Sequence, residues 1–309
     1  MPDDHTVIPY LLEGGMWMKV GFIGAGKVGC SLGKYFVENG ITVTGFYSRS
    51  LESSKAAADF TQTVNYETME SILEDSDTLF LTVPDGQIGK VWDYMGNLDI
   101  KNKVICHCSG SISSATFFHG EERGAKVYSV HPLYAISDKF ESWKSLKNAY
   151  FVIEGTEDGL EEMKRLLVSC GNKVIVTKTS KKALYHGAAV TASNLVVGLV
   201  NLSAKMLVSC GFEKEEALEA LYGLFLGNAQ NIVSKGPVEA LTGPVERKDI
   251  STVEKHLKAF AKEKEFENAS VVYRLLSMEL LEIAQEKHAD WEYDDFMEVL
   301  RNEEYSDDI

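Results

Sequence analysis

Residues 19–30 read KVGFIGAGKVGC. Gly24, Gly26 and Gly29 stand there in the spacing G-x-G-x-x-G. The apolar run before them, residues 20–23, reads as a buried strand, and residues 27–39 read as a helix. A second strand-like run follows at 41–47. The spacing alone is common. Strand, glycine turn, helix and strand within about thirty residues predict a dinucleotide site. Gly24 permits the tight turn, Gly26 leaves room for a pyrophosphate against the backbone, and Gly29 lets helix and sheet approach. The unpaired N–H groups and dipole of the helix start favour an anion beside Ala25, Lys27 and Val28.

Outward from this turn, strand-like and helix-like runs alternate. Helices are expected at 51–60, 67–74, 87–95 and 159–169, and strands at 62–64, 77–83, 103–108, 126–130, 150–154 and 173–176. A further helix is expected to run from the turn Ser109-Gly110-Ser111 to about Glu122. The alternation indicates an α/β, doubly wound, mostly parallel sheet. From about Thr179 no strand pattern remains. Helices are expected near 180–209, 213–235, 251–263, 266–288 and 291–303, with a long loop at 236–249 around Pro237, Gly243 and Pro244. The helix over 181–209 is apolar on most faces, which predicts burial on several sides or a dimer interface. The expected organisation is an N-terminal extension at 1–15, a Rossmann-like domain at 16–178, and an all-α domain at 179–309 that binds substrate and dimerises.

Composition restricts the partners. The 309 residues carry 31 Lys and Arg against 46 Asp and Glu, a net charge of −15, which argues against nucleic-acid binding. The last twenty residues alone contain nine acids and one base and read as a solvated end. Five cysteines without regular spacing suggest reduced thiols in a cytoplasm. Cys106, His107 and Cys108 lack a second pair to complete a tetrahedral metal site, so no metal is expected. The first fifteen residues lack a signal-peptide pattern, and the apolar stretch 188–200 is short for a membrane span.

The second strand ends in Tyr47-Ser48-Arg49-Ser50, with no acid before Glu52. An acid at this point binds the ribose 2′-OH of NAD, whereas a cation with hydroxyls suits the 2′-phosphate of NADP. Ser48, Arg49 and Ser50 therefore point to NADP(H). The alternative is a solvated Arg49 and a site indifferent to that phosphate. Further cofactor contacts are expected from Val83, Pro84, Asp85, Ser109 and Gly110, at strand ends where helix caps are equally at home.

Two places suit proton transfer. Residues 185–194 read YHGAAVTASN, which on one helix puts His186, Ser193 and Asn194 on a common face. His186 then serves a substrate oxygen or nitrogen while Ser193 and Asn194 orient it, or all three satisfy buried backbone groups. His131 stands at a strand end, its backbone held extended by Pro132.

The segments GFIGAGKVG (21–29), SVHPL (129–133), YHGAAVTASN (185–194) and ALTGPVERKD (240–249) together resemble a bacterial family of uncharacterised Rossmann-like NADP oxidoreductases. That family carries a helical C-terminal domain of unknown function. Its glycine turn is similar to those of pyrroline-carboxylate reductases and β-hydroxyacid dehydrogenases. The resemblance implies a C-terminal domain like that of 6-phosphogluconate dehydrogenase, a homodimer, and hydride transfer between nicotinamide and a small carbonyl, imine or alcohol in an interdomain cleft. It also implies a Lys with an Asn four residues later on the first long helix. Here Lys181 and Lys182 are followed at that spacing by Tyr185 and His186, and Val190 precedes Asn194. His186 takes the donor's place by position and chemistry. A pyrroline-carboxylate-type imine reductase and a nucleotide-binding sensor without turnover are the rival readings.

Overall fold

The computed structural model describes residues 18–301. The expected N-terminal extension and the last eight residues of the acidic end lie outside them. The chain divides into two compact units, one through Ser193 and one from Asn194.

The first unit is built as β1 (Lys19–Ile23), α1 (Lys27–Glu38), β2 (Thr42–Tyr47), α2 (Leu51–Thr61), β3 (Val64–Tyr66), α3 (Met69–Asp75), β4 (Thr78–Leu81), α4 (Asp85–Met95), β5 (Val104–His107), β6 (Lys126–Leu133), β7 (Tyr150–Gly155), α5 (Leu160–Ser169), β8 (Lys173–Val176) and α6 (Lys182–Thr191). The strands form one eight-stranded sheet in the order β3-β2-β1-β4-β5-β6-β7-β8, with β6 and β7 the single antiparallel pair. Side chains alternate across it. Val20, Phe22, Phe46 and Phe80 enter one core with Leu32 and Phe36 of α1, and Ile23, Leu79 and Leu81 enter the other with Ile72 and Trp92. The Phe22 ring stacks on Phe46 and Phe80 at 5.2 and 5.6 Å. Burying such aromatics is what holds α1 at the angle the glycine turn sets.

One expected helix is absent. Residues 111–122 form a short 3₁₀ turn at Ser114–Thr116 and a series of further turns. The cause is tertiary. Glu154, 1% exposed, accepts the Ser114 N–H at 2.8 Å and the Ser114 and Thr179 hydroxyls at 2.7 Å each. A buried carboxylate needs such donors, and supplying them draws the chain out of helical register.

The expected continuous helix over 180–209 is also broken. α6 ends at Thr191, and a turn at Ala192 and Ser193 precedes the next helix. The Thr191 and Ser193 hydroxyls donate back to the carbonyls of Gly187 and Ala189 at 2.9 and 2.7 Å, a pattern that bends helices. α6 belongs with the sheet, because Lys182 and Tyr185 both bond β6. The compact first unit thus continues past the expected boundary at residue 178.

The second unit comprises α7 (Asn194–Ser209), α8 (Lys214–Ala240), α9 (Ile250–Ala261), α10 (Glu267–Lys287) and α11 (Asp294–Arg301). No strand occurs in it among the described residues. α8 runs into the expected loop, broken at Gly236 (φ 78°) and resumed from Pro237. Its core gathers Leu241, Val253, Leu257, Leu281 and Phe296. The burial expected along 181–209 is not seen within one chain: only Lys182 in α6 and Ala204 in α7 are buried. The run Thr179–Ser209 contains an 18-residue window of mean hydropathy 1.4, long and apolar enough to cross a membrane. Lys182, bonded into the sheet of the first unit, ties its start to protein.

Candidate active site

Strand register defines the site. Tyr47, Ile23, Leu81, His107 and Ser129 are paired in one row across β2, β1, β4, β5 and β6. These strands are parallel, so all five carboxyl ends open on the same edge. The chain winds outward from β1 through β2 to β3, then crosses back to β4, and this reversal is where ligands of such sheets collect.

The glycine turn sits at that reversal. Gly24 has φ 108°, and a Cβ there would fall 2.6 Å from the Thr82 carbonyl oxygen. A Cβ on Gly29 would fall 2.3 Å from Thr82 Oγ1 and 2.5 Å from Gly24 O. Around Gly26 no atom lies within 4 Å of that position, so its backbone faces open space. α1 starts without a capping side chain or an acid in its first turn. Bare N–H groups, an open glycine and Lys27 make a cradle for an anion. The site therefore fits the pyrophosphate of a dinucleotide.

Toward β2, Ser50 Oγ accepts the Ser53 N–H and Ser48 Oγ accepts the Ser50 N–H, both at 3.3 Å. Both hydroxyl protons are left to donate, so capping and phosphate binding are compatible. Arg49 is exposed beside them. Toward β5, Asp85 opens α4 and accepts the Ser109 and Ser111 hydroxyls at 2.8 and 2.9 Å. Ser109 Oγ in turn accepts the Ile112 N–H at 3.0 Å. These bonds pin the loop carrying Gly110 to the loop carrying Val83 and Pro84.

Next along the edge is a cluster around Gly110. A Cβ on this residue would fall 2.5 Å from His186 Nδ1 and 2.9 Å from His131 Nε2. Only glycine lets the two rings close over the loop. Their centroids lie 6.4 Å apart and nearly perpendicular. His131 Nδ1 is 2.6 Å from the Tyr185 hydroxyl, while His186 Nδ1 is buried without a hydrogen-bond partner. Below them Lys182, 2% exposed, donates to Ser129 Oγ at 2.6 Å, and Ser129 Oγ donates to Ser109 O at 3.4 Å. Lys182 Nζ also lies 5.4 Å from the centre of the Tyr185 ring.

Burial sets the acidities here. Desolvation, then the Lys182 charge, brings His131 down to about 4, so its ring is neutral near neutral pH. Desolvation raises the Tyr185 hydroxyl to about 12 and lowers Lys182, against which Glu154 acts in the opposite direction. Tyr185 is thus held protonated and able to donate.

His131 and His186, expected separately, meet at Gly110. Ser193 follows the end of α6, with its hydroxyl on the Ala189 carbonyl. Asn194 opens α7 in the second unit. Tyr185 and Lys182 were missed as members of the cluster. The only sign in the sequence was polar groups at 182, 185 and 186, one helical turn apart. A cavity of about 830 Å³ lies at the opposite edge, between the starts of the strands, among Asp77, Lys101, Lys126 and Glu162. Its charges of both signs and its distance from the glycine turn separate it from this chemistry.

Residues 19–109 match the family described as NADP oxidoreductase coenzyme F420-dependent, and residues 149–280 match the domain of unknown function DUF2520. The chain thus resembles Rossmann-like NADP oxidoreductases in its first part and carries this C-terminal domain in its second. Protein TM1727 from Thermotoga maritima is 28% identical, with a TM-score of 0.68 over 87% of this chain and 99% of that one. BF3122 from Bacteroides fragilis is 20% identical, with a TM-score of 0.62 over 86% and 98%. Pyrroline carboxylate reductase from Plasmodium falciparum, solved with NADP bound, is 15% identical, with a TM-score of 0.54 over 87% and 96%. The last two show the shared fold. No curated protein matches the chain.

The His131 environment has a consequence for stability. The folded ring titrates at about 4, below the ordinary 6.5 of histidine. The unfolded chain therefore binds the proton first as pH falls. The contribution is intact above about pH 6.5 and is lost on descent toward about 4. Urea unfolding at pH 7 and pH 5 is expected to show a lower midpoint at pH 5, by a margin that shrinks in His131→Gln. A His131 NMR titration centred near 6.5 would contradict the assignment.

Proposed function

We propose that the protein is an NADP(H)-dependent oxidoreductase acting on a small C=N or C=O group, with the imine reductases of the pyrroline-carboxylate type as its nearest functional model. The observation that carries this is the row of strand ends. It offers phosphate groups an open Gly26, offers Arg49 on one side, and sets a proton-bearing cluster on the other. Solved structures of similar fold include an imine reductase from a Pseudomonas species and the NADP-bound Plasmodium enzyme.

When bound, NADPH supplies the hydride. The N–H groups at Gly26, Lys27 and Val28 would hold the pyrophosphate, and Ser48, Arg49 and Ser50 would hold the 2′-phosphate. Asp85 keeps the Ser109-Gly110 loop in place. Tyr185 donates a proton to the substrate nitrogen or oxygen and regains one from solvent; neutral His131 holds the hydroxyl through Nδ1–H, and His186 orients the same substrate group. Lys182, charged beneath the Tyr185 ring, stabilises the phenolate that forms when that proton leaves.

A panel of cyclic imines and 2-oxo and 3-oxo acids, scored by NADPH oxidation, is expected to identify a substrate class. Tyr185→Phe and His186→Ala should each lower kcat by roughly a hundredfold while leaving NADPH affinity unchanged. Tight NADPH binding with no oxidation by any member would favour a sensor. Arg49→Ala should weaken NADPH and spare NADH; equal binding of both by the parent and the variant would remove the phosphate assignment.

We also propose a homodimer through the second unit. Tyr222, Leu224 and Val233 of α8 are 68, 71 and 88% exposed, an apolar surface unusual for a chain alone in water. Sedimentation should give a dimer and, for Val233→Asp, a monomer; a monomeric parent would rule this out.

A further inference from the structure

The chain between β6 and β7, residues 134–149, leaves the sheet just beyond His131 and returns across α1 and α2. It is fastened there. Ser31 Oγ of α1 donates to the carbonyls of Asp138 and Lys139 at 3.3 Å, and Phe140 packs edge-on against Phe60 of α2 at 5.0 Å. Asp138 folds its carboxylate inward, accepting the N–H groups of Phe140 and Glu141 at 2.7 and 2.9 Å.

This arrangement carries the Lys139 ammonium to a particular place. Its Nζ donates to the carbonyl and hydroxyl oxygens of Ser53 at 3.2 and 3.1 Å, and Ser53 Oγ donates to the carbonyl of Ala25 in the glycine turn at 2.9 Å. Its hydrogen-bond partners are both neutral oxygens, the centre of the Phe140 ring lies 5.4 Å away, and no salt bridge to Lys139 is formed among the described residues. Ser53 lies one turn after Arg49 and Ser50, on the β2 side of Gly26. A half-buried cation without a counter-ion, between a bare helix start and Arg49, is adverse to the folded state by itself and favourable once an anion arrives.

We infer that Lys139 is a specificity-determining ligand of the cofactor's ribose 2′-phosphate, supplied by the β6–β7 connection and lying outside the glycine-turn motif. The assignment rests on the NADP(H) reading above. The 2′-phosphate is favoured over the pyrophosphate because Ser53 anchors the ammonium on α2, beside Arg49, whereas the open backbone suited to the pyrophosphate is at Gly26. Arg49 and Lys139 then close on one phosphate from two separate segments.

The test is equilibrium binding of NADPH, NADH, adenosine 2′,5′-bisphosphate and 5′-AMP to the full chain and to Lys139→Met and Lys139→Arg. Lys139→Met should weaken NADPH and the bisphosphate by roughly tenfold or more and change NADH and 5′-AMP by less than about twofold. Lys139→Arg should keep most of the affinity. Unchanged NADPH binding in Lys139→Met would overturn the inference, as would an equal loss for NADPH and NADH, the mark of a pyrophosphate or purely structural role. Thermal unfolding of each variant separates that last case from a failure to fold. If the parent chain binds none of the four, the cofactor reading fails and this inference with it; NADPH binding untouched by the variant defeats the inference alone.

Discussion

The hydrogen bond from Thr82 Oγ1 to the carbonyl of Gly24, 2.7 Å long, holds the working edge of the protein together. It ties the end of β4 to the turn after β1, across the point where the winding of the sheet reverses. The two Cβ positions that would break it, on Gly24 and Gly29, are the ones the sequence leaves empty. With the turn fixed, α1 can present bare N–H groups over the sheet, and the stack of Phe22, Phe46 and Phe80 maintains the packing beneath.

Charge is distributed to suit that edge. A chain of net charge −15 brings Lys27, Arg49 and Lys139 to the end where phosphates would lie. At the other end the charges are buried and balanced through neutral groups: Lys182 on Ser129, and Glu154 on Ser114 and Thr179. Between them His131 is kept neutral and Tyr185 protonated by the same burial. In the proposed function, this strand-end row would offer cations for binding phosphate and a buried region for proton transfer.

Much of this was legible before any coordinates. The glycine spacing, the strand end at 47–50 and the loops after β4 and β5 are local patterns, and local patterns fix where a parallel sheet opens. Other features depend on contacts distant in sequence. The helix expected at 111–122 yields to Glu154, some 40 residues on. The long helix over 180–209 is interrupted by serine and threonine hydroxyls that turn back on it. Tyr185 and Lys182 acquire meaning only when β6 is beside them, and Lys139 only when its connection is laid across α2. Ser193 fits the helical spacing, and the break that follows Thr191 is not visible in that spacing.

The central claim is that a single edge carries phosphate recognition at β2 and β1 and proton transfer at β5 and β6. A crystal structure of the protein with NADPH tests it most directly. The account predicts the 2′-phosphate at hydrogen-bond distance from Arg49 and Lys139, the pyrophosphate on the backbone of Gly26 to Val28, and the nicotinamide toward Gly110. A nucleotide bound in the reverse sense, with nicotinamide beside Arg49, or bound away from Gly26, would contradict it.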